Sequence, residues 1–193
     1  MWVSHWPVFS AAAVADERAA CRQIERIHLA NGWFGAGYNW AIGQSGSIFE
    51  LAGLMVRGVH AGNFNTQGFG ICFLQPSTPA GVPTAPMTPA MRNSARALYE
   101  WLCSRTGRRL QMTWHGALMA TACPGPDVRA FTQGGMQAQV PPPIPEDAVS
   151  VSAVMRNDVL NVFFMREGDR RVWVVWQNRD GSWAGPNIVP GTA

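Results

Sequence analysis

Four histidines and four cysteines are the side chains of this 193-residue sequence best suited to hold a metal or move a proton near neutral pH. Three of the histidines fall at the ends of expected elements. His5 closes the first strand, His60 lies in a loop, and His115 follows the strand Leu110–Trp114. In α/β sheets ligands gather beyond the carboxyl ends of the strands. Cys123 comes eight residues after His115, in the loop Thr121-Ala122-Cys123-Pro124-Gly125, so His5, His115 and Cys123 can converge in one such crevice. Imidazole and thiolate are good zinc ligands, and a site with three protein ligands leaves the fourth tetrahedral position for water, which suggests catalysis. A histidine at a strand end, or a lone cysteine before proline, also reads as a packed or capping residue, and spacing alone does not decide between the two.

The elements that must position these groups follow from periodicity and capping. Trp2–Trp6 is a short apolar strand, and Ala15–Ala30 reads as a helix stopped by Asn31-Gly32. Tyr38–Ile42 and Ser47–Glu50 form a hairpin around Gly43-Gln44-Ser45-Gly46, and Phe69–Leu74 is a buried strand. Thr88 with Pro89 starts a helix that runs to Thr106 before Gly107. Leu110, Met112 and Trp114 alternate with Gln111 and Thr113, a strand leading into His115. The fold class expected is α/β, with a mixed central β-sheet flanked by helices over residues 1–132. Three consecutive prolines and a Gly pair predict a linker over 133–148. Four short strands separated by turn residues then make a small antiparallel β module over 149–193.

Composition removes several classes. Hydrophobic residues make up 47% and charged residues 14%, which gives ample apolar surface for a core and excludes a disordered chain. No apolar run approaches the roughly 18 residues of a membrane span, so no membrane partner is expected. The net charge of +3 is dispersed, without a phosphate-tracking stripe, so no nucleic-acid partner is expected either. Cys21, Cys72 and Cys103 fall on helix or strand positions and read as buried apolar residues, not a disulfide framework. The opening MWVSHWPVF lacks the cationic start and long apolar stretch of a signal peptide, so the expectation is folding in a reducing cytoplasm.

Five segments, in order along residues 1–132, resemble the zinc-dependent N-acetylmuramoyl-L-alanine amidases, a family that includes phage endolysin amidases and peptidoglycan recognition proteins. They are Val3-Ser4-His5; Gly37-Tyr38-Asn39-Trp40 followed by Gly46-Ser47-Ile48-Phe49-Glu50; Gly58-Val59-His60-Ala61-Gly62 with Asn65; Gly68-Phe69-Gly70-Ile71; and His115 with Thr121-Ala122-Cys123-Pro124-Gly125. The resemblance implies the amidase fold, a zinc ion (Zn2+) held by His5, His115 and Cys123, Tyr38 as a catalytic hydroxyl, and Thr121 as its partner. Some family members carry Lys where this chain has Thr121, and a threonine offers only a neutral hydrogen bond to a developing oxyanion. Trp6 directly after His5, and Leu51-Ala52-Gly53-Leu54 after the hairpin, depart from the family pattern and bear on substrate preference.

The resemblance also makes His60 and Asn65 substrate-binding residues on a groove wall; the other reading of His60 is a loop histidine bonded to backbone. His28, near the end of its helix, is explained by a favourable dipole interaction. Glu50 reads as a solvated hairpin end or a carboxylate near the site. In the last segment Trp173, Trp176 and Trp183 can stack on glycan rings, or form the core of a sheet too small to do without them. The function expected is an endolysin-type hydrolase whose partner is peptidoglycan and its muramyl stem peptide. It would accumulate in the cytoplasm of the producing bacterial cell and act on the wall after release. The alternatives are a non-catalytic peptidoglycan-binding protein and an intracellular wall-recycling amidase.

Overall fold

The computed structural model describes residues 1–137, 148–156, 159–166, 168, 171–177 and 183–189. They form two compact units, Met1–Ala138 and Gln139–Ala193. The first is built on five strands, β1 (Trp2–His5), β2 (Trp40–Ile42), β3 (Ile48–Glu50), β4 (Phe69–Phe73) and β5 (Met112–Trp114), in the order β3-β2-β4-β1-β5. Only the β2–β3 hairpin is antiparallel; β2, β4, β1 and β5 run parallel, so the sheet is mixed.

Side chains alternate across the sheet and bury two clusters, which is why the central strands read as continuously apolar. On one face Trp2, Trp40, Ile42, Ile71 and Phe73 pack with Met91, Leu98 and Leu102 of helix α3 (Pro89–Thr106). On the other, Ala41, Cys72 and Leu74 pack with Val14 of α1 (Ala11–Ala15) and with Ala20, Cys21 and Ile24 of α2 (Glu17–Ala30). The single helix expected from Ala15 is thus two helices, because Asp16 adopts extended backbone and its carboxylate accepts the Ala19 N–H at 2.9 Å. Ser10 caps α1 in the same way, accepting the Ala13 N–H. Thr88 and Gly107 bound α3 as expected, with Gly107 left-handed at φ 68°.

Two short helices follow β5: α4 (His115–Leu118) and α5 (Pro126–Gln133). The packed body continues past residue 132, where the sequence suggests its end. Met136 is fully buried in the same cluster as Phe131 and Leu102, because the turn at Gly134-Gly135 folds the chain back and does not start an extended spacer. Residues 138–147 of the expected linker lie outside the described residues.

The second unit is an antiparallel meander, β6 (Ala148–Arg156), β7 (Val159–Arg166), β8 (Val172–Gln177) and β9 (Trp183–Ile188), in that order across the sheet. Val162, Phe164 and Val175 are buried, with Trp173 and Trp183 packed against them. Trp176, adjacent to Val175 in β8, belongs to the opposite face. Two of the three tryptophans therefore serve the core. The turns at Asn157-Asp158 and Arg179-Asp180-Gly181 lie outside the described residues. No helix among the described residues is long and apolar enough to cross a membrane.

Candidate metal centre and active site

His5 is the last residue of β1, between β4 and β5 in the middle of the sheet. Trp2 and Ser4 point toward α3 and α5, where the Ser4 hydroxyl bonds that of Thr132 at 2.8 Å, so alternation directs His5 to the other face. His115 follows directly on the neighbouring parallel strand, and its ring centroid lies 4.6 Å from that of His5. Cys123 is brought back to them by the loop after α4. The Gly116 N–H donates to the Cys123 carbonyl at 2.8 Å, and an added Cβ at Gly116 would meet the Thr121 carbonyl at 2.5 Å. Gly125 (φ 81°) lies flat on the Trp6 indole, where an added Cβ would meet the ring at 2.6 Å. Trp6 is thereby the floor of the cysteine loop.

One donor atom from each of His5, His115 and Cys123 lies within 4.8 Å of the others, and His5 Nδ1 is 3.9 Å from Cys123 Sγ. Donors around a tetrahedral zinc stand about 3.3–3.6 Å apart given bond lengths of about 2.0–2.3 Å, so small side-chain adjustments close this set on an ion. The donor chemistry fits zinc as well. Burial, then the neighbouring His60 and His115, hold His5 well below the ordinary histidine range, and burial also lowers His115, so both are neutral ligands at pH 7. Burial pushes the Cys123 thiol up to about 11, against a smaller lowering from the Trp6 backbone. Without a metal it stays protonated.

Tyr38 reaches the same place, its ring 5.1 Å from that of His5. Burial raises its phenol well above the usual value, with Cys72 and Cys123 adding to the effect, so the hydroxyl keeps its proton at neutral pH. Its segment is held from behind. The Gly37 N–H donates to His28 Nδ1 at 2.8 Å, and the His28 ring stacks near Trp33 and Tyr38 at 4.5 and 5.3 Å. Burial lowers His28 as well. The dipole explanation for His28 gives way, because a neutral ring used as an acceptor carries no charge to complement a helix end. Asn39 grips the other side: its carboxamide donates to the Gly53 and Val56 carbonyls and accepts the Gly70 N–H at 2.9 Å.

His60 is buried behind His5, whereas Asn65 is half-buried and lines a neighbouring cavity with Arg57 and Gln67. His60 is 7% exposed; its Nδ1 lies 3.2 Å from His5 Nε2, and its Nε2 lies 3.2 Å from the Gly68 carbonyl. The Asn65 carboxamide oxygen accepts the N–H groups of both His60 and Ala61, fixing the loop. The position of His60 depends on Gly70, a strand residue without a side chain. Thr121 is exposed at the rim, and its hydroxyl accepts the Cys123 N–H at 3.2 Å. Glu50 is exposed at the end of β3. Cys21, Cys72 and Cys103 are buried free thiols. Three contributors escape a reading of the sequence: His28, Asn39 and Met119, whose sulfur lies 3.3 Å from His115 Nε2. Of these only Asn39 carries a signal, a polar residue inside the otherwise apolar run Tyr38–Ile42.

The profile of the N-acetylmuramoyl-L-alanine amidase family matches residues 3–126. A peptidoglycan-recognition protein of Drosophila simulans is 35% identical over 106 residues, 54% of this chain and 56% of that protein. The chain thus spans a little over half the length of that relative. An endolysin of Klebsiella phage KP32 is 28% identical over 125 residues, covering 64% of this chain and 82% of the endolysin. Among solved structures, bumblebee PGRP-SA superposes with a TM-score of 0.59 at 25% identity, covering 68% of this chain and 79% of that one.

Proposed function

The chain belongs to the N-acetylmuramoyl-L-alanine amidase family, and from that premise we propose that it is a zinc-dependent peptidoglycan hydrolase. The bond cleaved is the amide between the lactyl group of N-acetylmuramic acid and the L-alanine of the stem peptide. The observation that carries this reading is the convergence of His5, His115 and Cys123 with their donor atoms within 4.8 Å. Two imidazoles and one thiolate are a zinc-binding set that leaves a coordination position for chemistry.

When bound, zinc supplies Lewis acidity for the scissile carbonyl and a water acidic enough to attack it at neutral pH. The chain's own residues do the rest. His5 and His115 would hold the ion as neutral imidazoles, and Cys123 would give up its thiol proton to serve as the third ligand. Burial favours the protonated phenol of Tyr38, and the part this reading gives it is to donate a hydrogen bond to the oxygen that gains charge as the amide carbon becomes tetrahedral. The Thr121 hydroxyl, which accepts the Cys123 N–H, retains its own O–H to donate at the rim.

The similarity to a phage endolysin supports an endolysin-type role, in which protein stored in the cytoplasm of the producing cell reaches the wall after release. In the second unit this reading assigns sugar stacking to Trp176, which lies on the face of β8 opposite Val175. A relative described as a recognition protein keeps a second reading, binding of peptidoglycan without cleavage. The two are separated by one pair of measurements, metal analysis of protein purified without chelators and mass spectrometry of digested peptidoglycan. One zinc per chain and stem peptides with a free L-alanine amine are expected. Undigested peptidoglycan would favour the recognition reading, and new reducing sugar ends would point to a glycosidase.

A further inference from the structure

His60 ends in two fixed contacts, and their order along the ring has a chemical consequence. The Gly68 carbonyl, 3.2 Å from His60 Nε2, can only accept a hydrogen bond, so that nitrogen carries the ring proton. A neutral imidazole has one N–H, and Nδ1 is then a bare lone pair. This lone pair faces His5 Nε2 at 3.2 Å. Two lone pairs at that distance would repel, so His5 Nε2 carries its ring's proton, and His5 Nδ1 is left as a lone pair 3.9 Å from Cys123 Sγ.

We infer that His60 is a positioning residue that locks His5 in its Nε2–H tautomer and so presents His5 Nδ1 to the metal corner of the site. The inference rests on the zinc reading proposed above. The starting point of the relay is a backbone carbonyl, which cannot change its role. His60 is itself held on several sides. An added Cβ at Gly70 would lie 2.5 Å from its Cγ, and one at Gly58 would lie 2.6 Å from its Cδ2, so the ring fills a slot between two glycines. Asn65 fixes its backbone N–H. Neither His5 nor His60 has an ion-pair partner among the described residues, which agrees with two neutral rings. A histidine ligand whose second nitrogen is engaged this way has its tautomer and orientation set before the metal arrives, and loss of such a partner commonly costs about 10–100-fold in metal affinity.

Two experiments test this on the full chain. In the metal-free protein, long-range 1H–15N correlation of the imidazole rings should show the Nε2–H tautomer for both His5 and His60; a Nδ1–H tautomer at either ring overturns the relay. Zinc affinity by chelator competition should fall about 10–100-fold in His60→Ala, and it should recover in His60→Asn, whose Oδ1 can stand in for Nδ1 as the acceptor. Unchanged affinity in His60→Ala, or equal losses in both variants, removes the positioning role. Should His60→Ala fail to fold, the tautomers of the unaltered protein still decide the matter. Failure of the unaltered protein to bind zinc is a different result, which overturns the metal reading on which this one rests.

Discussion

The glycine beneath His60 offers a sharp perturbation, because one methyl group placed on β4 should act on a candidate metal centre it does not touch. In Gly70→Ala the new Cβ would lie 2.5, 2.6 and 3.0 Å from Cγ, Cδ2 and Nδ1 of His60. Ordinary carbon contacts are about 3.5–4.0 Å, so the ring must retreat by about 1 Å. Its two 3.2 Å contacts, to His5 and to the Gly68 carbonyl, have little slack, and a displacement of that size along either one would stretch it beyond hydrogen-bonding range. Overpacking costs about 1–3 kcal/mol, and each lost bond adds about 0.5–1.5 kcal/mol. Zinc affinity should fall with the relay, as in His60→Ala. The assay is a double-mutant cycle on metal-free protein followed by urea unfolding. If the clash is with His60, Gly70→Ala should cost much less once His60 is already alanine, with a coupling of about 0.5–3 kcal/mol. Additive losses would refute the packing of this ring over Gly70, and with it the route by which β4 reaches the site.

Tyr38→Phe should retain zinc and lose about 2.7–4 kcal/mol of transition-state stabilisation, roughly 100- to 1000-fold in kcat; unchanged turnover on soluble muropeptides removes Tyr38 from the chemistry. Zinc affinity should rise about tenfold per pH unit above neutrality, because the Cys123 thiol titrates at about 11 and must lose its proton, whereas His5 and His115, lowered by burial, are already neutral there. A flat profile from pH 7 upward would mean that no proton leaves on binding. Met136→Ala should cost about 2–5 kcal/mol in urea unfolding, and a chain ended at Gln133 should lose at least as much, since Met136 is fully buried; equal stability would place the domain end at the Pro/Gly-rich stretch after all.

What could be read from the sequence divides along a physical line. Residues whose chemistry is carried by type and order were legible: His5, His115 and Cys123 are the imidazoles and thiol at the ends of strands and in the following loop, and the structure brings their donor atoms together. Local elements with capping signals were legible too, as in Thr88, Pro89 and Gly107 around α3. Directions were not. Whether His60 faces a groove or the sheet is set by Gly70, on a different element, and by a carbonyl at Gly68 that has no sequence signature. His28 lies nine residues before Gly37, and nothing in its helix announces that its ring will accept the N–H of that loop. Asp16 is an acidic residue in a helical run, and its choice of extended backbone over helix is visible only once Ser10 and Asp16 are both seen to cap. Met136 sits beside glycines that suggest a spacer, and its burial is a tertiary fact.

His5, His60, His115 and Tyr38 are all buried or partly buried and all held in their neutral forms, and the thiol of Cys123 is protonated until a metal displaces its proton. Thr121, exposed at the rim, adds no charge. The protein side of the centre is therefore uncharged before loading, and a divalent ion with one thiolate leaves a single net positive charge there. In a partly desolvated pocket that charge would be screened less than in bulk water, and Tyr38 would stand beside it as a hydrogen-bond donor to a developing oxyanion. Adding a cation with Thr121→Lys tests the division of labour. If Tyr38 and the bound metal already supply the stabilisation, the added lysine should change kcat little while Tyr38→Phe remains damaging. If Thr121→Lys instead rescues Tyr38→Phe, the charge at the rim can replace the hydroxyl, and the neutral rim of this chain limits its rate.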